Sequence, residues 1–548
     1  MKNLVMSRRH FLRAAAVVAI SNSILSGNAL GQDNIHDNNF KSPLWDLTKL
    51  NKEVLKLSVW FRAQDAEELL STRSGLDKAI SWCKQHGATK VYLEAYGRGL
   101  YANRNILVNA KEKFLKEGLE VQGGVLTASG PDNFNIYHCY TSKTDQEELQ
   151  RMFEYAASIF DEIIIDDWFF TNCENEESIS ALGNQTWSQY NTDLMVKMSQ
   201  ERVMIPAHTI NPKVKVIIKF PQWNDEYQLR GYDVVRQSKI FDGIWAGTED
   251  REFDYNASTG YETPYNAYFN MRWLANFGNV GGGWFDTGDE KTKVTTYLEQ
   301  ARHTVLGEGK EMILWCYSNN FPAVDKLDAL SKELPGLIKL ANIVQVKPVK
   351  GIHLLKPGNS DPFEEGWICS FIGSLGLPFV PASEINEEAA AAFFPVQVLK
   401  DPGFVAKLQR MLEKGTPVVV TDGLSKRLDA HPDIVKQLTV LPVNGSPKTL
   451  LKMTRDEIKP FRDKLMAPFG MKFDAPNKVE LYLFGEDTFA VENINDEAVD
   501  VILELPKVTS VSKALILPED GGNVELSLSG KSVKIRISPR TLAVVDYK

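Results

Sequence analysis

The feature that most constrains this sequence is a rhythm. From about Leu55 to Phe321, short apolar runs alternate with longer stretches of helical periodicity. The runs are LKLSVWF (55–61), KVYLEAYG (90–97), LEVQGGVLT (119–127), EIIIDDW (162–168), KVKVIIKFPQW (213–223), FDGIWAGTED (241–250), GGGWFDTG (281–288) and EMILWCYSN (311–319). Between them lie amphipathic patterns such as GLDKAISWCKQHG (75–87), DQEELQRMFEYAASI (145–159), NTDLMVKMSQERVMIPAHTI (191–210) and KVTTYLEQARHTVLG (293–307). Continuous apolar strands alternating with helices indicate a parallel sheet covered on both faces. Eight such units in about 270 residues predict an α/β fold, the (β/α)8 TIM barrel, with an open doubly wound sheet as the alternative.

The chain is too long for one such domain. A second α/β pattern follows, with strand expectations at 350–362, 377–385, 391–401 and 415–423 and a helix at 402–415. After Lys478 the period changes to two, as in KVELYLFG, AVDVILELP and TLAVVDYK, which predicts a C-terminal β-sandwich. The expected division is a leader at 1–31, a catalytic barrel at 32–340, a small α/β domain at 341–470 and the sandwich at 471–548.

The leader carries Lys2, Arg8, Arg9 and Arg13 ahead of a short apolar stretch, with small residues at Ala29 and Gly31. Its S-R-R-x-F-L pattern predicts twin-arginine export to the periplasm; an ordinary secretory signal is the alternative. Loss of its four basic residues takes the net charge from −9 to −13, which argues against a nucleic-acid partner. No other apolar run approaches the ~18 residues of a membrane span, so no membrane association is expected after removal of the leader. Cys83, Cys139, Cys173, Cys316 and Cys369 show neither C-x-x-C spacing nor metal spacing with His. An exported protein could form a disulfide, but five scattered cysteines are no framework, and mostly buried thiols are expected. The glycine-rich GNVGGGW (278–284) precedes a strand rather than opening a helix, so no dinucleotide site, and no cofactor, is expected.

In an eight-fold barrel the chemistry stands at the C-terminal ends of the strands. There the sequence places Glu94, Tyr96 and Arg98 on strand two, Thr127 and Ser129 on strand three, and Asp166, Asp167 and Trp168 on strand four. Strand five offers Lys219, Gln222 and Trp223, and strand six Glu249, Asp250 and Arg251. Strands seven and eight offer Trp284 with Asp286, and Trp315 with Tyr317. Carboxylates interleaved with Trp and Tyr suit sugar, whose flat C–H face packs on an aromatic ring. Glycosidic cleavage needs two carboxyl groups, one to protonate the leaving oxygen and one to attack or to activate water.

The stretch FDEIIIDDWFF (160–170) is the sharpest of these signals, since a buried strand rarely ends in two adjacent acids and a Trp. Asp166, Asp167 and Glu249 are the expected catalytic residues. Glu94, Arg98, Trp168, Lys219, Trp223, Asp250, Asp286 and Trp315 are expected to bind substrate. Each has a plainer reading: Asp166 and Asp167 as solvated caps, Glu249 paired with Arg251, Glu94 paired with Arg98, some tryptophans as core. If Ile164 faces the barrel interior, alternation puts Asp166 there too, and Asp167 on the loop side. A strand-end Lys219 should need a carboxylate beside it and should keep one aspartate ionised. His138, in NIYHCYTS, reads more readily as a core or solvated residue than as part of the site.

The order of modules resembles that of the family 42 β-galactosidases, which carry a barrel, a small amidotransferase-like α/β domain and a C-terminal β domain. Those enzymes place a Glu after strand four and another after strand seven, where this chain has Asp166-Asp167 and Asp286. Their catalytic assignment therefore does not transfer. IIIDDWFF is similar to the strand-four ends of other barrel glycosidases and of the α-galactosidase group. That resemblance implies a strand-four Asp as nucleophile and a strand-six carboxylate, Glu249 or Asp250, as acid/base. The expected activity is hydrolysis of O-glycosyl bonds in a glycan or oligosaccharide, with a homo-oligomer left open. The alternatives are a twin-arginine-exported oxidoreductase and a sugar-binding barrel that cuts nothing.

Overall fold

The computed structural model describes residues 42–128, 138–250, 263, 265–288 and 292–548. The leader, Ser129 and Arg251 lie outside the described residues.

All eight expected barrel strands form: β1 (Lys56–Phe61), β2 (Lys90–Gly97), β3 (Glu120–Leu126), β4 (Glu162–Ile165), β5 (Lys215–Phe220), β6 (Gly243–Gly247), β7 (Val280–Asp286) and β8 (Glu311–Trp315). Each pairs in parallel with the next, and β1 pairs with both β2 and β8, which closes the sheet. The apolar runs are continuous because both strand faces are covered. Ile163 and Ile165 pack outward under the helices, whereas Ile164 joins Trp60, Tyr92, Ile217, Trp245 and Trp284 in the barrel interior.

Three Trp rings fit inside so narrow a barrel because glycines face them. A Cβ on Gly124 would lie 2.0 Å from the Trp60 ring, and one on Gly282 would lie 2.5 Å from the Trp245 ring. The glycine run 281–283 is thus strand β7, shaped around its neighbours.

The helix expected over 191–210 is divided into Trp187–Met198, a wide π turn at Ser199–Met204, and Ile205–Ile210. Pro206 has no N–H to donate, and the wide turn absorbs the missing bond. After β8, one helix runs from Val324 to Val346, so the boundary expected at 340 falls inside a helix.

The second segment is a five-stranded parallel sheet, β9 (Ile352–Leu355), β10 (Phe379–Ala382), β11 (Ala392–Phe394), β12 (Val418–Thr421) and β13 (Thr439–Leu441), in the order β10-β9-β11-β12-β13. β13, only three residues long, escaped the sequence pattern. The C-terminal part forms two antiparallel sheets of four strands each, and Val349–Lys350 adds a fifth strand to one of them. Val499–Glu504 shows the alternating burial expected of a strand with one wet face.

Three of the five cysteines are buried thiols, and the other two pair. Cys139 and Cys173 form a disulfide that ties the loop after β3 to the loop after β4. Spacing could not show this, because the two residues meet only once the barrel closes. Cys83, Cys316 and Cys369 are buried free thiols.

Candidate active site

At the C-terminal mouth of the barrel, one ammonium gathers three carboxylates. Lys219, the fifth residue of β5, is 1% exposed. Its Nζ lies 2.6 Å from Asp167 Oδ1 and 3.8 Å from Asp166 Oδ1, and it donates to Glu249 Oε1. The same ammonium stands 4.3 Å from the centre of the Trp284 ring, a cation–π contact from below. Strands four, five and six thus deliver one acid pair, one cation and one further acid to a single point.

The local geometry explains why both aspartates reach it. β4 ends at Ile165, so strict alternation stops there and the chain turns. The Asp166 amide still bonds Val125 O at 3.0 Å, whereas the Asp167 amide folds back onto Asp166 Oδ1 at 2.7 Å. Asp166 is the more buried of the two, as alternation predicted, but Asp167 makes the closer ion pair. The turn is held from outside: Thr127 Oγ1 donates to Trp168 O at 2.7 Å, and Tyr232 donates to Asp167 O. Nothing local in the sequence pointed to Tyr232.

The electrostatics follow from numbers of charges. One ammonium faces three carboxylates, of which Asp166 and Glu249 are buried and Asp167 is half-buried. Burial, then the charge of Asp167, raises the Asp166 carboxyl to about 7, against the lowering effect of Lys219. Burial raises Glu249 to about 8, with Asp167 and Asp286 adding to it and Lys219 opposing. Burial disfavours the Lys219 ammonium, but Asp167, Glu249 and Asp166 outweigh it and hold its pKa above the ordinary lysine value. The cluster therefore favours a charged Lys219, with protons held on Asp166 and Glu249 above the usual carboxylate range. Lys219 was expected to keep an aspartate ionised; for Asp166 burial wins instead.

The other expected residues divide into those at this point and those beside it. Asp286 ends β7, close enough to raise Glu249, and its Oδ1 accepts from the Gly288 amide at 2.9 Å. Trp315 ends β8 and leans on Trp60 and Trp284 at 5.8 and 5.6 Å, completing an aromatic floor. Trp168 and Trp223 are half-buried and are joined through Phe170, at 5.5 and 5.7 Å. The Arg230 guanidinium lies over Trp223 at 4.6 Å. These aromatics form a wall along the β4 and β5 loops.

Glu94 is fully buried beside β1. It accepts from Trp60 Nε1 at 3.2 Å and from the Ala63 amide at 2.6 Å, and burial raises it to about 8 although that amide and Arg98 pull the other way. Arg98 adopts a left-handed backbone (φ 55°), and burial lowers its pKa against the charges of Glu94 and Asp166. Asp250 meets the helix that follows β6. It is fully buried and accepts from Asn266 Nδ2 at 3.1 Å and from the Ala267 amide at 2.6 Å, at the start of the helix Tyr265–Leu274. His138 lies 3.7 Å from Asp145 and stacks near Tyr140, with its pKa lowered by burial.

Gln222 gained little weight from sequence, yet it sits at the mouth. It is 8% exposed, and its Oε1 meets no hydrogen-bond donor among the described residues. Its amide nitrogen and Glu249 Oε2 both crowd Gly247.

Over 312 residues the chain is 27% identical to an uncharacterized protein of Saccharolobus solfataricus, covering 51% of this chain and 50% of that protein. The chain thus spans about half the length of the curated relative it matches. Among solved structures it is similar, at 10% identity, to an exo-β-1,4-mannosidase from Opitutaceae bacterium strain TAV5, with a TM-score of 0.46 over 67% of this chain and 76% of that one. It is similar, again at 10% identity, to the catalytic module of a family 98 glycoside hydrolase from Streptococcus pneumoniae TIGR4, with a TM-score of 0.34 over 90% of this chain and 98% of that one. Residues 45–333, from the first described helix through β8, match the model of the probable glycosyl hydrolase catalytic domain, and the chain belongs to that family.

Proposed function

We propose that this protein hydrolyses O-glycosyl bonds of a glycan or oligosaccharide with Asp167 and Glu249 as its working carboxyl pair. The observation that supports this most is the shared ammonium. Lys219 donates to Glu249 and forms an ion pair with Asp167 at the end of the barrel where such enzymes place their chemistry. Asp167, at 2.6 Å from the ammonium, supplies the negative charge that meets the anomeric carbon. Glu249, raised to about 8, keeps its proton at neutral pH and gives it to the leaving oxygen. A protonated Glu249 still accepts from Lys219 through Oε1 while Oε2 carries the proton. Asp166 braces the Asp167 amide. The half-buried Trp168 and Trp223 offer faces for a pyranose.

A panel of chromogenic glycosides and plant or host glycans tests the reading. The wild-type protein releases sugar from at least one of them. Asp167→Asn and Glu249→Gln each lower kcat by ~10²- to 10⁴-fold with the circular dichroism spectrum unchanged. Full activity in both variants refutes the assignment, and a folded wild-type protein inert on every substrate refutes the activity.

We also propose export by the twin-arginine route. The S-R-R-x-F-L pattern supports it, as does a disulfide beside the site, which an oxidising compartment would preserve. Replacing Arg8 and Arg9 by Lys should hold the protein in the cytoplasm on cell fractionation.

A further inference from the structure

The family match ends at residue 333, before the middle domain begins. The structure nevertheless buries a charged side chain of that domain against the loop after β5. Lys356 follows β9 and is 1% exposed. Its ammonium donates to Asn224 O at 3.0 Å and to Asn224 Oδ1, pairs with Asp225 Oδ1 at 3.0 Å, and sits 4.4 Å over the Trp273 ring. Asp225 Oδ2 takes a second bond from the middle domain, the Trp367 amide at 2.6 Å. Burying a lysine and an aspartate is costly unless geometry is good and every donor is used, and a well-packed apolar contact would hold two domains together as firmly. The value of such a pair is that it fixes one arrangement.

What it fixes is the loop after β5. Asn224 and Asp225 follow directly on Gln222 and Trp223. Gln222 O accepts from the Asn224 amide at 3.0 Å and from Asn266 Nδ2 at 3.1 Å. Asn266 in turn takes a hydrogen bond from Ser370 of the middle domain at 2.8 Å and gives one to Asp250, the neighbour of Glu249. The buried acceptor Gln222 Oε1 and the Trp223 ring therefore stand on a segment whose backbone is anchored from outside the barrel.

We propose that Lys356 is a positioning residue for sugar binding: through Asn224 and Asp225, the middle domain sets Gln222 and Trp223 as a wall of the substrate cleft. This rests on the glycosidase reading above. A hydroxyl of the bound sugar would donate to Gln222 Oε1, and the pyranose would lie along Trp223.

The test uses the full chain and a glycoside hydrolysed by the wild-type protein. Lys356→Met leaves Asp225 buried and unpaired and risks misfolding, so the main variant is the neutral pair K356M/D225N. Positioning predicts that K356M/D225N raises KM at least tenfold while kcat stays within threefold. Trp223→Ala raises KM to a similar extent, and combining it with K356M/D225N adds little, because both act through one wall. A folded K356M/D225N with wild-type KM overturns the inference and leaves the glycosidase reading intact, as does full additivity with Trp223→Ala. A wild-type protein that cleaves no glycoside overturns the reading and this inference with it.

Discussion

Two strands of the barrel bury a lysine, β2 and β5, one at each end, and their surroundings differ in a way that separates support from chemistry. Lys90, on β2, lies at the N-terminal end, 3.0 Å from Glu311 Oε2. The other oxygen of Glu311 takes hydrogen bonds from Ser58 at 2.7 Å and Tyr92 at 2.9 Å, and the ammonium rests 4.6 Å from the Tyr92 ring. A second acid, Glu162, stands 3.6 Å away and is partly exposed to water. One buried cation meets one buried anion, and each oxygen of that anion has its donor. Lys219 at the opposite end meets three carboxylates and cannot satisfy them all. A balanced cluster plugs a barrel. An unbalanced one holds protons at raised pKa, the condition general acid catalysis needs.

The sharpest way to break this comparison is to remove each ammonium in turn. Lys90→Met and Lys219→Met each leave buried carboxylate uncompensated, and each should cost about 3–5 kcal/mol in urea unfolding. Their activities should diverge. Lys219→Met should lower kcat by at least ~10³-fold, as loss of charge control at a reacting pair does. Lys90→Met, assayed at a temperature where it remains folded, should keep kcat within about twofold. Equal losses of kcat would show that the bottom cluster is not a mere plug.

How much of this was legible in the sequence differs between the same two ends. The eight strands could be read because doubly covered strands are continuously apolar, and III in 163–165 and VII in 216–218 leave no other reading. Asp166, Asp167 and Lys219 could be read because charges directly after such runs contradict their surroundings. Lys90 and Glu311 open their strands in the same way, but a charge before an apolar run resembles an ordinary solvated strand start. Adjacency groups Asp250 with Glu249, and nothing local shows that its carboxylate also meets the start of the helix beginning at Tyr265. The Cys139–Cys173 bond and the reach of Lys356 to the loop after β5 depend on residues meeting across closed tertiary structure, and no local period records that.

Proton retention gives a second, smaller contrast. Asp166 and Glu249 have folded-state pKa values raised to about 7 and 8, so between roughly pH 4 and 8 the folded protein binds more protons than the unfolded chain. Their contribution to stability is therefore present in full at the acid end and is lost as pH rises through 7 and 8. Each such group takes at most about 1.4 kcal/mol per pH unit across that window. Unfolding free energy measured from pH 4.5 to 8.5 should fall in the wild-type protein. Asp166→Asn and Glu249→Gln should each reduce that slope, and the remainder belongs in part to Glu94, also raised to about 8 by burial. A slope unchanged in both variants would remove the case for stored protons at the mouth.

The finest probe of the comparison is a single methyl group placed at either end. A Cβ on Gly247, the last residue of β6, would fall 2.5 Å from the Gln222 amide nitrogen, 2.7 Å from Glu249 Oε2 and 2.8 Å from the Pro221 carbonyl carbon. Two of these contacts are backbone and cannot yield cheaply, so the Glu249 carboxyl is what moves. A Cβ on Gly282, in β7, would fall 2.1 Å from Glu311 O, backbone at the quiet end. Gly282→Ala should destabilise the fold by about 1–3 kcal/mol through overpacking and leave kcat of the folded protein unchanged. Gly247→Ala should lower kcat/KM by between ~10- and ~100-fold, because a displacement of an ångström or less is enough to spoil a near-attack geometry. Thermal melts and steady-state kinetics on the two variants separate these outcomes. An active Gly247→Ala would mean that Glu249 tolerates displacement, and a group that tolerates displacement is not the one delivering the proton.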